Sequence, residues 1–289
     1  MKKILITGAT GNVGMAVIKS LNNLSHSYQI ITGVKDLDRD KEKLAPYKVE
    51  VIYFDFTDIS SYEIALKSCT ILFLLRPPNI AQVTKYYKPL IEKTKEIGIK
   101  HIVFLSVQGV EKNTIIPHHK IETLIVQSNI AYTFLRPAYF MQNFIGSLHY
   151  DLVVHKKIFL PAGRAKFTLV DVHDIGNVAA VILINTTKYL NKTVELTSNE
   201  KLSFKEMAIK LSSGLGILIT YESPNLFKFY LTKRKENLPF MLIMVMIMLH
   251  FLPRFSKEPK ITEEVKNIVG NEPITFSQFI EHNKTILTA

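Results

Sequence analysis

The sequence predicts an α/β protein built on a doubly wound parallel sheet with a smaller carboxyl-terminal α/β lobe. Three observations carry this prediction. Short apolar strands alternate with helical stretches, a glycine-rich turn follows the first strand, and beyond Pro137 the alternation loosens. With 289 residues, 47% hydrophobic and 21% charged, the chain has enough apolar surface for a large core plus a smaller lobe. We expect a first domain over residues 1–150 and the smaller lobe over 151–289. The boundary is soft, because a helix around Ile175 to Leu183 is expected to pack back on the first domain.

Lys3 to Thr7 reads as a strand, and Val17, Leu21 and Leu24 recur at helical spacing after Val13. Strands follow at Gln29–Val34, Val49–Phe54 and Thr70–Leu75. A charged connection separates the first pair, and a helix opened by the capping box Ser60-x-x-Glu63 separates the second. Pro77-Pro78 precedes an amphipathic helix from about Asn79 to Ile97, which Gly98 can end in the left-handed conformation. A strand at Ile102–Ser106, a helix near His118–Ser128 and a strand at Tyr132–Arg136 complete six strands. Later, Lys156-Lys157, Pro161-Ala162-Gly163 and Asn191-Lys192 mark loops, and helices are expected near Phe204–Leu211 and through Phe240–Leu252.

The stretch Phe240 to Leu252, between Pro239 and Pro253, falls short of the roughly 20 residues that cross a bilayer. A buried core helix, a pliable Met-lined wall of a ligand pocket and peripheral membrane contact stay open, in that order of expectation. The expected partners include no membrane. The formal net charge of +11 is scattered. Neither Lys35–Lys43 nor Lys233-Arg234-Lys235 is interleaved with stacking aromatics, so nucleic acid is not an expected partner. The lone Cys69 excludes an internal disulfide, and the apolar start is too short for a secretory signal, so the cytoplasm is the expected compartment. Nine histidines show no H-E-x-x-H or Cys/His cluster, and no metal is expected.

A glycine-rich turn between a strand and a helix lets backbone N–H groups reach a pyrophosphate without obstruction by Cβ atoms. Gly8, Thr10, Gly11, Asn12, Val13 and Gly14 occupy such a turn, and we expect them to hold NAD(P). At the end of the second strand an acid would accept from both ribose hydroxyls of NAD, and a base would pair with the 2′-phosphate of NADP. Lys35-Asp36 offers both. Because Arg39, Lys41 and Lys43 make the connection positive, NADP held by Lys35 is expected, with NAD the alternative. Asp55 could accept from the adenine amino group or cap a local turn.

The segments Gly8–Gly14, Leu105-Ser106-x-x-Gly109, His119-Lys120-x-Glu122, Leu135-Arg136-Pro137 and Phe140-Met141-Gln142-Asn143 resemble the NmrA-like branch of the short-chain dehydrogenase/reductase superfamily. Val170–Ile175 and Gly270–Phe276 are similar to later motifs of that group, so the likeness spans nearly the whole chain. It implies a Rossmann domain that binds the dinucleotide, a smaller substrate-binding lobe and a cleft between them. By the same resemblance Lys120 reaches the nicotinamide ribose, while Phe140 and Asn143 line the nicotinamide end. An exposed helix lysine and simple core packing are the plain alternatives.

One departure matters. The superfamily's proton-donating Tyr stands four residues before the Lys, and here that residue is Ile116. Ser106 matches the superfamily serine by position. Tyr139, His119 and His118 are candidate replacements as acid, with Lys120 beside them in the catalytic set. Asp171 and Asp174 precede an apolar helix and read as its caps. The resemblance implies an NAD(P)H-dependent reductase that passes hydride to a small electrophilic acceptor such as a quinone. The alternative is a non-enzymatic NAD(P)-binding redox sensor acting through a protein partner.

Overall fold

The computed structural model describes residues 2–289. The chain forms two compact units. The first comprises the chain up to Pro137 together with Val172–Leu196 and Glu264–Asn271, and the second comprises Ala138–Asp171, Thr197–Glu263 and Glu272–Ala289.

The first unit is a parallel sheet wrapped by helices. Its strands are β1 (Lys3–Thr7), β2 (Gln29–Val34), β3 (Glu50–Tyr53), β4 (Cys69–Leu74), β5 (His101–Leu105), β6 (Ala131–Pro137) and a seventh at Lys192–Leu196. The order across the sheet is Lys192–Leu196, β6, β5, β4, β1, β2, β3, and every pairing is parallel. Parallel strands covered on both faces need apolar side chains in both directions. Accordingly Ile4, Leu5 and Ile6 are buried, as are Leu72, Phe73, Leu74, Ile102, Val103 and Phe104. The helices are α1 (Asn12–Asn23), α2 (Leu37–Leu44), α3 (Ser60–Leu66), α4 (Lys88–Ile97) and α5 (Pro117–Ser128), joined by Val172–Ile184 and Glu264–Val269. The Val172–Ile184 helix packs on α1 at Gly176, where a Cβ would lie 2.7 Å from the Ala16 side chain.

Four local expectations are corrected. The charged connection after β2 is α2, an almost wholly polar helix that buries only Asp40 and Leu44. Asp36 caps it by accepting the Arg39 N–H at 3.1 Å. Ser60 and Glu63 form no capping box. Asp58 instead accepts the Ser60 N–H at 3.1 Å and its hydroxyl at 2.6 Å. The long helix from Asn79 is a π-helical turn at Val83–Tyr87 followed by α4, because Pro89 has no N–H to continue an α-helical ladder through that point. Asn191 turns the chain at φ 54° as a loop residue would, but Lys192 already opens the seventh strand, whose register pairs it with Thr133. Gly98, at φ 85°, ends α4 as its spacing predicts.

The second unit holds a three-stranded sheet of Lys201–Ser203, Lys166–Val170 and Tyr139–Phe140, and a parallel pair of Lys157–Phe159 and Thr220–Glu222. Phe144, Phe159, Phe204, Phe229, Phe276 and Phe279 fill its core. The Phe204–Leu215 helix starts with a complete capping box of Ser203 and Glu206. Lys233, from the basic run, turns inward to pair with Asp151 at 2.6 Å and Glu236 at 2.8 Å. Asp151, Glu236 and His155 bring their ligand atoms close together, and the Lys233 ammonium already serves as the cation for both carboxylates.

The Phe240–Phe251 helix is not the buried core helix expected of it, since it gives only one side to the core. Only Ile243, Met246 and His250 are buried, while Met241, Leu242, Met244, Val245 and Leu249 are exposed. Among the described residues no helix is long and apolar enough to cross a membrane.

Candidate functional site

The chain winds outward in opposite directions from β1 and β4, the neighbouring strands at which a doubly wound sheet takes its ligand. Thr7 ties these strand ends together. Its hydroxyl donates to the Phe73 carbonyl at 3.3 Å and accepts the Leu75 N–H at 2.9 Å. Gly8 then reverses the chain at φ 61°, in the left-handed region that Gly adopts without strain. The Gly11 N–H donates to the Gly8 carbonyl at 3.1 Å, which closes the turn. A Cβ on Gly14 would lie 2.3 Å from that carbonyl oxygen, so α1 can approach the turn only with glycine there.

Gly11 is the N-cap of α1 and brings no side-chain oxygen to the first-turn N–H groups. Helices usually satisfy those donors with Ser, Thr, Asp or Asn. An uncapped N-terminus beside a left-handed glycine is a cradle for an anion, and the helix dipole adds to the attraction. Gly8, Gly11 and Asn12 are exposed on this turn and Thr10 partly so, while Val13 and Gly14 are buried and pack it.

At the β2 end, Lys35 and Asp55 are brought together: Nζ lies 2.7 Å from Oδ2. Asp55 also accepts the Thr57 N–H and hydroxyl, each at 2.8 Å. Burial works to raise the Asp55 pKa, but the Lys35 and Thr57 hydrogen bonds hold it below the usual carboxylate range. The hydrogen bond from Lys35 to Asp55 raises the lysine in turn. Asp55 thus has the local turn role, alongside a charge partner that sequence reasoning assigned to a phosphate. Lys43, named from the sequence only as one of the charges of this connection, also comes to the glycine turn. It reaches from the last turn of α2 to the Thr10 carbonyl at 2.7 Å. Thr10, Arg39, Asp40, Glu42 and Lys43 line an open depression of about 600 Å³. Helical spacing puts residues 39 and 43 on one face of α2, but that signal required recognising α2 as a helix.

At the end of β5, Ser106 is buried and its hydroxyl has no hydrogen-bond partner. A buried orphan hydroxyl is costly unless a ligand or water completes it. Ile116 caps α5 without a side-chain bond, and Lys120 stands exposed in the first turn. Glu122 accepts a two-pronged ion pair from Arg136, at 3.1 Å and 2.7 Å, which fixes α5 to β6. His118 is unsuited to donate a proton. Burial and the nearby Arg76, with Nε 3.4 Å from Nε2, push its pKa down to about 3. His119 lies at the surface of the same turn, partly exposed.

Tyr139, Phe140 and Asn143 belong to the second unit. Phe140 pairs with Val170 in its sheet and is half-buried. The Tyr139 hydroxyl lies 3.1 Å from His250 Nε2, and His250 Nδ1 lies 2.6 Å from the Met246 carbonyl. A carbonyl can only accept, so Nδ1 carries the proton and Nε2 accepts from Tyr139. Burial pushes the Tyr139 pKa up, against a hydrogen bond from Asn143 that lowers it. His250, the lone polar side chain in an apolar helix, was legible only as an i+4 neighbour of Met246.

The first unit thus offers an uncapped helix on a glycine turn, a Lys35–Asp55 ion pair at the β2 end and an orphan hydroxyl, and the second unit a tyrosine–histidine pair. The chain is similar to known proteins along most of its length. The chain is 32% identical over 279 residues to the Prestalk A differentiation protein A of Dictyostelium discoideum, covering 96% of this chain and 90% of that protein. It is 26% identical over 239 residues to quinone oxidoreductase 2 of Escherichia coli, covering 82% of each. The structure of the Escherichia coli NADPH-dependent quinone oxidoreductase in complex with NADPH superposes with a TM-score of 0.87 at 23% identity, over 96% of this chain and 99% of that one, and so shares the fold. The model of the NmrA-like family matches residues 1–264, and the chain belongs to that family.

Proposed function

We propose that the protein is an NAD(P)H-dependent reductase of a small electrophilic acceptor such as a quinone. The observation that carries this reading is the uncapped N-terminus of α1 on the Gly8–Gly14 turn at the β1/β4 switch point. The quinone oxidoreductase named among its relatives supports the reaction class. Bound there, the reduced dinucleotide supplies the hydride. The first-turn N–H groups of α1 hold its pyrophosphate, and Lys35, Arg39 and Lys43 favour the 2′-phosphate of NADP over NAD. Lys120 positions the nicotinamide ribose, with Phe140 and Asn143 at the nicotinamide end.

The acceptor needs one proton for each hydride. Tyr139 holds one at its hydroxyl, aimed at His250 Nε2 and steadied by Asn143. Such a weak acid suits a quinone, whose reduced oxygen tolerates delayed protonation, better than it suits a simple ketone. His119 is the exposed alternative. The lone thiol, Cys69, is buried and its pKa is pushed up to about 11, which suits no nucleophilic role.

Mixing the protein with NADPH and a panel of quinones, azo compounds and aldehydes, and following loss of the reduced cofactor, tests the reading. Turnover with quinones is the expected result. Tight NADPH binding without consumption across the panel would favour a redox sensor acting on a protein partner, to which Ile116 in place of a proton-donating tyrosine already inclines.

A further inference from the structure

The Phe240–Phe251 helix leaves a surface that the reductase reading does not use. Phe240, Met241, Leu242, Met244, Val245, Leu249 and Leu252 are all exposed, Met241 at 70%. The neighbouring Leu226–Lys235 helix adds Phe227, exposed at 73%, and the turn after Leu252 adds Phe255 at 75%. The two helices pack together, with the Tyr230 and Phe240 rings 6.3 Å apart, which sets the exposed side chains of one beside those of the other. So many large apolar side chains left exposed on one helix mark a binding face.

The rim of the patch identifies the occupant. The helix itself carries no charged residue from Phe240 to Leu252. Arg234 and Lys235 stand exposed just before it, and Arg254 and Lys257 just after. Arg254 lies over the Phe251 and Phe255 rings, 5.0 Å and 6.0 Å from their centroids, an amphipathic stem with a cationic tip. Of the nearby acids, Glu236 is committed to Lys233 and Glu258 to Lys201.

A second copy of the chain would set this positive rim against an identical one across a two-fold axis, on a protein of net charge +11. An anionic bilayer surface has the complementary charge and accepts the apolar side chains between its headgroups. Twelve helical residues span about 18 Å, too short to cross the bilayer and suited to lying in its plane. We propose that the Phe240–Phe251 helix and its flanking cations seat the protein on anionic membrane surfaces as a peripheral, in-plane anchor. This revises the expectation of no membrane contact and stands whether or not the site is a reductase.

Flotation of the full-length protein with phosphatidylcholine vesicles, with and without phosphatidylserine, tests it. The expected result is binding to the mixed vesicles that weakens with salt, and little binding to phosphatidylcholine alone. Met241→Glu/Leu249→Glu changes only exposed positions. It should abolish flotation while leaving the thermal unfolding midpoint unchanged, and Arg234→Gln/Lys235→Gln should weaken it by roughly tenfold or more. Failure to float with mixed vesicles overturns the proposal, as does undiminished flotation of the Met241→Glu/Leu249→Glu variant. A dimer in sedimentation velocity that the same variant disperses would assign the face to a second copy and also overturn it.

Discussion

Lys35 shows how one residue can have two claims on it. In its ion pair with Asp55 the ammonium is exposed while the carboxylate is buried, where the Thr57 N–H and hydroxyl hold it as well. The lysine is therefore free to exchange that partner for a 2′-phosphate at small cost. Lys35→Glu should weaken NADPH binding by roughly tenfold or more while leaving NADH affinity nearly unchanged, as read by fluorescence titration. An unaltered NADPH preference would transfer the phosphate to Arg39 and Lys43. At Lys120, a contact with ribose is made in ground and transition states alike, so Lys120→Ala should weaken NADPH binding far more than it slows hydride transfer at saturating cofactor. Tyr139→Phe should do the reverse. Losing the proton at that position should lower quinone turnover by about a hundredfold with NADPH affinity intact. The variant also strands His250 Nε2 in the core, at a cost of about 1–3 kcal/mol in stability. If turnover of Tyr139→Phe matches the parent, His119 or solvent supplies the proton.

At the level of elements, the turn from β1 to α1 is the strictest requirement in the first unit. Gly14→Ala would place a methyl 2.3 Å from the Gly8 carbonyl, and backbone cannot yield there as a flexible side chain would. The variant should lose about 1–3 kcal/mol of stability and most of its NADPH affinity; a folded variant that still binds NADPH normally would show the turn to be mere structure. This turn was legible in the sequence because strand, glycines and helix occur in one short window, each with a local signal. Helix α2 was not, because its stabilisation comes from the Asp36 cap and from Lys43 reaching to Thr10, and it buries only two side chains. The Lys192–Leu196 strand was hidden for another reason. Its partner β6 lies some sixty residues earlier, and period alone does not reveal so distant a pairing. Phe240–Phe251 misled in the opposite direction, since composition reports how apolar a helix is but not which faces the fold covers. The Tyr139–His250 contact likewise spans 111 residues.

Across the molecule, three histidines are held neutral, and this sets how the fold responds to acid. His101 on β5 accepts no hydrogen bond at Nδ1, while Nε2 meets Thr133 Oγ1 at 2.8 Å, and burial pushes its pKa down to about 4. His118 is pushed to about 3 by burial and Arg76, and His250 to about 4 by burial. Unfolding releases each to an ordinary value near 6.5. The folded state therefore binds fewer protons than the unfolded chain between those limits. Stability from these groups is fully present above about pH 6.5 and falls as the pH drops toward the folded values. The carboxylates with lowered pKa, such as Asp55 and Glu222, act in a different window, below the ordinary carboxylate value. Between about pH 6.5 and about pH 5 the histidines alone govern the slope, and a single one shifted by two units is worth about 3 kcal/mol over its whole range. Guanidinium unfolding at about pH 7.5 and about pH 5 should show a clear loss of stability in the parent. His101→Gln, which keeps a donor toward Thr133 but cannot charge, should lose less over the same interval. A parent whose midpoint does not move between those two pH values would mean that the buried rings are solvated or paired in a way that removes their aversion to the proton.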